Sequence, residues 1–169
     1  AGIKKQDMSG SDFIIQALKT YPNEIILLTV GPVPNIGDVV RKEPEVLKLA
    51  KGIVSMFGSF YSGYSGAPTP SKEYNVLMDI TSSQMLADSG AKITYIGLDV
   101  TDHVKLNADS RLQLFMRQTP LTDALTSLYS LWRGEWGEEW ITPTLYDAVA
   151  VGYILWPEIF SISEEYVKV

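Results

Sequence analysis

Residues 25–30, IILLTV, form a continuous apolar run with no alternation, and the chain then breaks into Gly31-Pro32-Val33-Pro34-Asn35. A strand with one wet face alternates apolar and polar residues, because successive side chains point to opposite sides. A run without alternation suits a strand covered on both faces, which is the mark of a parallel sheet. The abrupt glycine- and proline-rich exit admits two readings. It is turn chemistry between a strand and a helix, or it is bare backbone whose carbonyls face a ligand.

The remaining chain repeats this grammar. Phe13, Ile14, Ala17 and Leu18 recur at helical spacing behind Ser11, a candidate N-cap, and Tyr21-Pro22-Asn23 closes that helix. A second helical pattern covers Val39, Val40, Val46, Leu47 and Ala50, with a kink or restart expected at Pro44. Gly52–Gly58 reads as the next strand and residues 59–72 as a long loop, a length that is often functional. Asp79 caps a helix over Ser82–Ser89, closed by Gly90. Ile93–Val100 reads as a third strand, Leu112–Leu131 as one helix despite Pro120, and Leu145–Trp156 as a buried helix apolar nearly all round. Tyr166–Val169 has the composition of a further strand start. Strands alternating with helices define an α/β fold: an open, mostly parallel sheet with helices on both faces, in one domain of 169 residues. In such sheets ligands gather beyond the carboxyl ends of the strands.

Composition narrows the chemistry. A net charge of −6 and the lack of any Lys/Arg cluster argue against nucleic acid and against a charged membrane surface as partners. No stretch has the length of a membrane span, and no signal-peptide core is present in the given residues, so the compartment stays open. With no cysteine and one histidine, thiolate chemistry and multi-histidine metal sites are excluded. Any metal must be held by carboxylates, carbonyls and water, which points to a hard cation such as Ca²⁺ or Mg²⁺. His103 reads as a surface or helix-start residue.

Four ordered segments resemble the inosine–uridine-preferring nucleoside hydrolases: VGPVPNIG, GIVSMFGSF, KEYNVLMD and TPTLYDAVAVGYILWPEIF, with GLDVT as weaker support. The resemblance implies a Rossmann-like sheet with Ca²⁺ at the bottom of a pocket, a water that attacks the anomeric carbon, and cleavage of an N-ribosyl bond. Residue by residue, it implies that the Val30 carbonyl and the Asp147 carboxylate hold the metal. It also implies that Glu73 and Asn75 bind sugar hydroxyls, and that Tyr146 stands where many members carry a histidine linked to leaving-base protonation. Ala67 falls near a position where the family has a sugar-contacting Asn. Other readings stay open beside these. Thr144-Leu145-Tyr146-Asp147 also fits a capping box. Trp132, Trp136 and Trp140 fit helix packing, with stacking of Trp136 on a substrate ring as the alternative.

One family signature does not occur in the chain: the aspartate-rich strand end Asp-x-Asp-x-x-x-Asp-Asp. The nearest run, Asp99-Val100-Thr101-Asp102, follows a different strand. The expectation is a central-to-C-terminal part of a longer nucleoside hydrolase-like domain, incomplete at both ends and inactive alone. Its partners would be a nucleoside or related sugar, a second copy of the chain, or the remainder of its own polypeptide. The alternative is a non-catalytic or altered-specificity relative that binds carbohydrate or nucleoside.

Overall fold

A computed structural model describes residue 5, residues 7–136 and residues 142–169. Three parallel strands lie in the order β1 (Ile26–Thr29), β2 (Gly52–Met56) and β3 (Ile93–Ile96). Each is joined to the next through helices: α1 (Gly10–Thr20) precedes β1, α2 (Pro34–Lys42) and a 3-10 turn (Val46–Leu49) lead to β2, and α3 (Tyr74–Met78) and α4 (Ile80–Ala87) lead to β3. A short helix α5 (Leu98–Thr101), the pair α6 (Ala108–Met116) and α7 (Pro120–Trp136), and α8 (Tyr146–Leu155) follow.

The strands sort their side chains to two cores. Leu27, Ile53, Ile93 and Tyr95 face one side, where they join Leu18 of α1, Ile36 and Val39 of α2, and Leu86 of α4. Leu28, Val54, Met56 and Ile96 face the other side, where they meet Val149 and Ala150 of α8. Helices therefore cover both faces, as the unalternating run implies. Each fully buried Leu or Ile side chain contributes about 1.5–3 kcal/mol of transfer free energy. Inside β2, the one small polar side chain, Ser55, is satisfied by a hydrogen bond from Thr29 Oγ1 at 2.7 Å.

Several boundaries differ from the sequence reading, each for a local reason. The N-cap of α1 is Ser9, not Ser11: the Asp12 N–H donates to Ser9 Oγ at 3.1 Å. The second helical pattern does break before Pro44, and the chain restarts at Val46. The third strand ends at Ile96. Gly97 turns the chain and Leu98–Thr101 becomes helix, so that Leu98 is buried with α8 instead of extending the sheet. The long helix over 112–131 is two helices. Gln118 takes a positive φ of 47°, and Thr119 caps α7 by accepting the Thr122 N–H at 3.2 Å, ahead of Pro120. Asp79 caps α4 as expected, accepting the Ser82 N–H at 3.0 Å, and Gly90 follows with a φ of +68°. On α8 only Val149 and Ala150 are buried, while Val151 and Leu155 are exposed, so this helix is apolar all round without being covered all round. Tyr166–Val169 forms no strand.

Helices α2 and α4 pack at close range through Gly37, where an added Cβ would lie 2.1 Å from Ser82 Oγ and 2.7 Å from Ser82 Cβ. Gly37→Ala should therefore destabilise the fold by about 1–3 kcal/mol through overpacking. Gly37→Ala/Ser82→Gly should recover part of that loss. Urea unfolding midpoints of the two variants check both outcomes.

Candidate functional site

The carboxyl edge of the sheet is organised by carboxylates on backbone N–H groups. Glu73, 4% exposed, caps α3 and ties it to the exit of β2. Its Oε1 accepts the Asn75 N–H at 2.8 Å, and its Oε2 accepts the Gly58 N–H at 3.1 Å and the Val76 N–H at 3.2 Å. Asn75 is also buried, and its Nδ2 donates to the Met56 carbonyl, the last residue of β2, at 3.0 Å. The two sugar-binding candidates thus sit together at the end of the central strand. Glu73 is heavily engaged as a structural acceptor, while Asn75 Oδ1 accepts no hydrogen bond among the described residues.

Asp99 performs the same task for the loop over 59–72. Its Oδ2 accepts the Phe60 N–H at 2.9 Å, and its Oδ1 accepts those of Tyr61 and Ser62 at 2.7 and 2.8 Å. Partial burial pushes its pKa up. The three backbone donors outweigh that and hold the carboxyl below its ordinary value. Asp102, buried, accepts the Gly66 N–H at 3.2 Å and the Tyr146 hydroxyl at 3.3 Å, and so joins the same loop to α8. The Tyr64 ring meets Tyr146 edge-on, with centroids 6.3 Å apart. In the sequence Asp99 and Asp102 follow a different strand from the family signature and lie far from the loop over 59–72, so their hold on it is visible only in the structure.

Tyr146 opens α8 and is half-buried. Burial raises the pKa of its hydroxyl, Asp102 adds to the rise, and a hydrogen bond from Thr144 opposes it. Asp147 is the second residue of α8, exposed, and among the described residues it makes no hydrogen bond or ion pair. Partial desolvation alone raises its pKa. The capping-box reading fails: α8 has Leu145 as N-cap with no side-chain cap, and Thr144 Oγ1 accepts instead from Lys105 Nζ at 2.6 Å.

Val30 lies one residue past β1, and its carbonyl accepts no backbone hydrogen bond among the described residues. It shares the face of Leu28, which packs against α8. The first residues of α8 contact Asp102, just beyond the carboxyl end of β3. Val30 thus follows β1 at the carboxyl edge of the sheet, and α8, whose second residue is Asp147, covers the face on which Leu28 packs. Both are oxygen donors without a hydrogen-bond partner among the described residues, which fits a hard cation. They are too few to enclose one, and no cluster of three or more His, Asp or Glu suited to a metal occurs among the described residues. Trp136 ends α7, and its side chain, like Trp140, lies outside the described residues. Trp132 contacts Tyr129, with ring centroids 6.2 Å apart, which is packing within the helix.

A cleft of about 560 Å³ opens on the opposite face, lined by Phe57, Glu73, Leu77, Tyr95, Tyr166 and Lys168 among others. It reaches Glu73 but none of Val30, Asn75, Tyr146 and Asp147.

These features define an open α/β sheet with polar groups converging at the carboxyl end of its strands. The sequence model of the inosine-uridine preferring nucleoside hydrolases matches residues 2–169, and the chain belongs to that family. Among its relatives, uridine nucleosidase 1 of Arabidopsis thaliana is 27% identical over 98% of this chain and 49% of its own length. The putative pyrimidine-specific ribonucleoside hydrolase RihB of Shigella boydii is 27% identical over 93% of the chain and 64% of its own length. The solved purine-preferring ribonucleoside hydrolase from Gardnerella vaginalis superposes with a TM-score of 0.85 at 26% identity, covering all of this chain and 54% of that one. The chain spans about half to two-thirds of the length of these proteins. No described helix is long and apolar enough to cross a membrane.

Because backbone donors hold the Asp99 carboxyl down, its stabilising contribution is present above the unfolded carboxylate pKa of about 3.9. That contribution is lost as pH falls through the lower folded value. Asp99→Asn should be less stable than wild type at pH 6–7, and the difference should shrink below about pH 4. Urea midpoints of both proteins between pH 3 and pH 7 test this, and a gap independent of pH contradicts it.

Proposed function

We propose that this chain is the metal- and sugar-contacting part of a nucleoside hydrolase that cleaves the N-glycosidic bond of a ribonucleoside. What supports the reading is family membership together with the anchoring of Asn75 to the end of β2 and of Tyr146 to Asp102 just beyond β3. Family relatives are described as uridine nucleosidases and as pyrimidine-specific and purine-preferring ribonucleoside hydrolases, so a ribonucleoside is the substrate class.

In this reading the Val30 carbonyl and the Asp147 carboxylate contribute two oxygens toward Ca²⁺, with Mg²⁺ as the alternative. When bound, such a cation lowers the pKa of water and orients sugar hydroxyls. Asn75 Oδ1, open and fixed by the anchored Nδ2, accepts from a ribose hydroxyl. Glu73 sets the position of Asn75 and Gly58 and meets the sugar with its remaining lone pairs. Trp136 is kept as a candidate for stacking on a substrate ring. Negative side chains at this edge favour the positive charge that develops on the sugar as the bond breaks.

In this reading the described residues form one α/β unit whose active site is completed by further polypeptide. Two observations support this: the metal donors among the described residues are few, and α6 and α7 expose an apolar set comprising Leu112, Phe115, Met116, Leu121, Leu128 and Leu131. A second copy of the chain is the other candidate to cover that face. The non-catalytic alternative differs in outcome only, since it keeps the same pocket without turnover.

Hydrolysis of p-nitrophenyl riboside and a nucleoside panel by the full-length polypeptide, with and without EDTA, tests the proposal. Turnover should require the metal, and Asp147→Ala should lower kcat/KM by about 100-fold or more. Activity indifferent to EDTA, or wild-type rates in Asp147→Ala, removes the metal assignment. Tight nucleoside binding without turnover selects the non-catalytic reading.

A further inference from the structure

The cleft of about 560 Å³ has the size of a small-molecule site, and it lies apart from Val30, Asn75, Tyr146 and Asp147. Part of its lining is aromatic. Phe57 and Tyr95 stack with ring centroids 6.2 Å apart, and Phe60 tilts against Tyr95 at 6.0 Å. Another part is aliphatic and uncovered: Leu77 of α3 and Ile80 at the start of α4 line the cleft and are 48% and 49% exposed. Apolar side chains left half-exposed around a concavity are stabilised when a flat apolar group enters and displaces water from several of them at once.

The charge available in the lining is positive. Glu73 is the one acidic side chain there among the described residues, and its two oxygens already accept the N–H groups of Asn75, Gly58 and Val76. Tyr95 adds no negative charge at neutral pH, because burial, with Asp88 adding to the effect, pushes its hydroxyl pKa up to about 12. Lys72 and Lys168 also line the cleft, and neither makes an ion pair among the described residues. In a chain of net charge −6, two ammonium groups at one apolar cleft reverse the local sign. A cationic ligand would meet like charge there, and a neutral ring would leave both lysines unused. An acid carried on a flat ring complements the rings and the lysines together.

We propose that this cleft is a second ligand site, which takes a small aromatic acid with its ring against Phe57, Phe60 and Tyr95 and its anionic group toward Lys72 and Lys168. The site is separate from the nucleoside contacts of the reading above, and binding there requires no turnover.

Calorimetric titration of the full-length polypeptide with 2-naphthoate and with its neutral counterpart 2-naphthalenemethanol tests the proposal. At low ionic strength wild type should bind the acid about tenfold more tightly than the alcohol. The gap should narrow in about 1 M salt, where the screening length falls to about 3 Å. Lys72→Gln/Lys168→Gln should close the gap without weakening the alcohol. Leu77→Glu places a carboxylate in the cleft at an exposed position and should weaken the acid by about tenfold or more. Leu128→Glu, on the exposed apolar side of α7, should leave both affinities unchanged. Urea midpoints show whether each variant is folded; if Leu77→Glu is not, the lysine pair and the acid–alcohol comparison decide. Equal binding of acid and alcohol by wild type overturns the proposal, as does a gap that survives in the lysine variant. Binding lost in Leu128→Glu but kept in Leu77→Glu overturns it too. So does the lack of binding by either probe, which would mean that further polypeptide fills the cleft. None of these outcomes depends on nucleoside hydrolysis, so the two readings stand or fall separately.

Discussion

Ile53, Val54, Ser55 and Met56 of β2 are all shut off from water, and that single requirement arranges the molecule around them. A strand buried on both faces needs neighbours on both edges and helices above and below. β1 and β3 supply the edges, α1, α2 and α4 one cover, and α8 the other. With both faces occupied, the carboxyl ends of the strands are where backbone can meet a ligand, and Val30, Glu73, Asn75 and Tyr146 lie there.

The edge itself is built by acids on main-chain donors. Glu73 holds the exit of β2 to the start of α3, Asp99 holds the first turn of the following loop, and Asp102 holds that loop to α8. Each satisfies N–H groups that a loop would otherwise leave to water. Gly58 and Gly97 make room for the arrangement. An added Cβ would lie 3.1 Å from the Phe60 ring at Gly58, where φ is +84°, and 2.9 Å from it at Gly97. Asp147 is the contrast: exposed and without a protein partner among the described residues, it is a carboxylate left available.

Much of this was legible. The apolar run into Gly31-Pro32 gave a parallel strand and a turn, Pro34 starts α2, and Asp79 caps α4. The misses share one cause: local pattern competes with a distant partner. ITYIGLDV looks like one strand, but Leu98 is drawn into the core beneath α8 and Asp99 onto the Phe60–Ser62 amides, so the chain turns at Gly97. Thr144 has the spacing of a capping residue, but Lys105 claims its hydroxyl from 39 positions away. Glu73 and Asn75 were recognisable as polar residues of the family pattern. That Glu73 would be buried and committed to three N–H groups was not, since Gly58 is one of them.

The sequence by itself determined the class of fold, the family, and the chemical types at the edge: a carbonyl, a carboxylate, an amide and a phenol. Periodicity and turn residues are local properties, and they read without a third dimension. Only the tertiary structure decided which oxygens are engaged and which are free. It left Asp147 without a partner among the described residues, gave Asp99 and Asp102 their loop, and turned the Tyr146 hydroxyl toward Asp102. Those outcomes depend on which donor reaches which acceptor across tens of residues, and a hydrogen bond forms on distance and angle rather than on order along the chain.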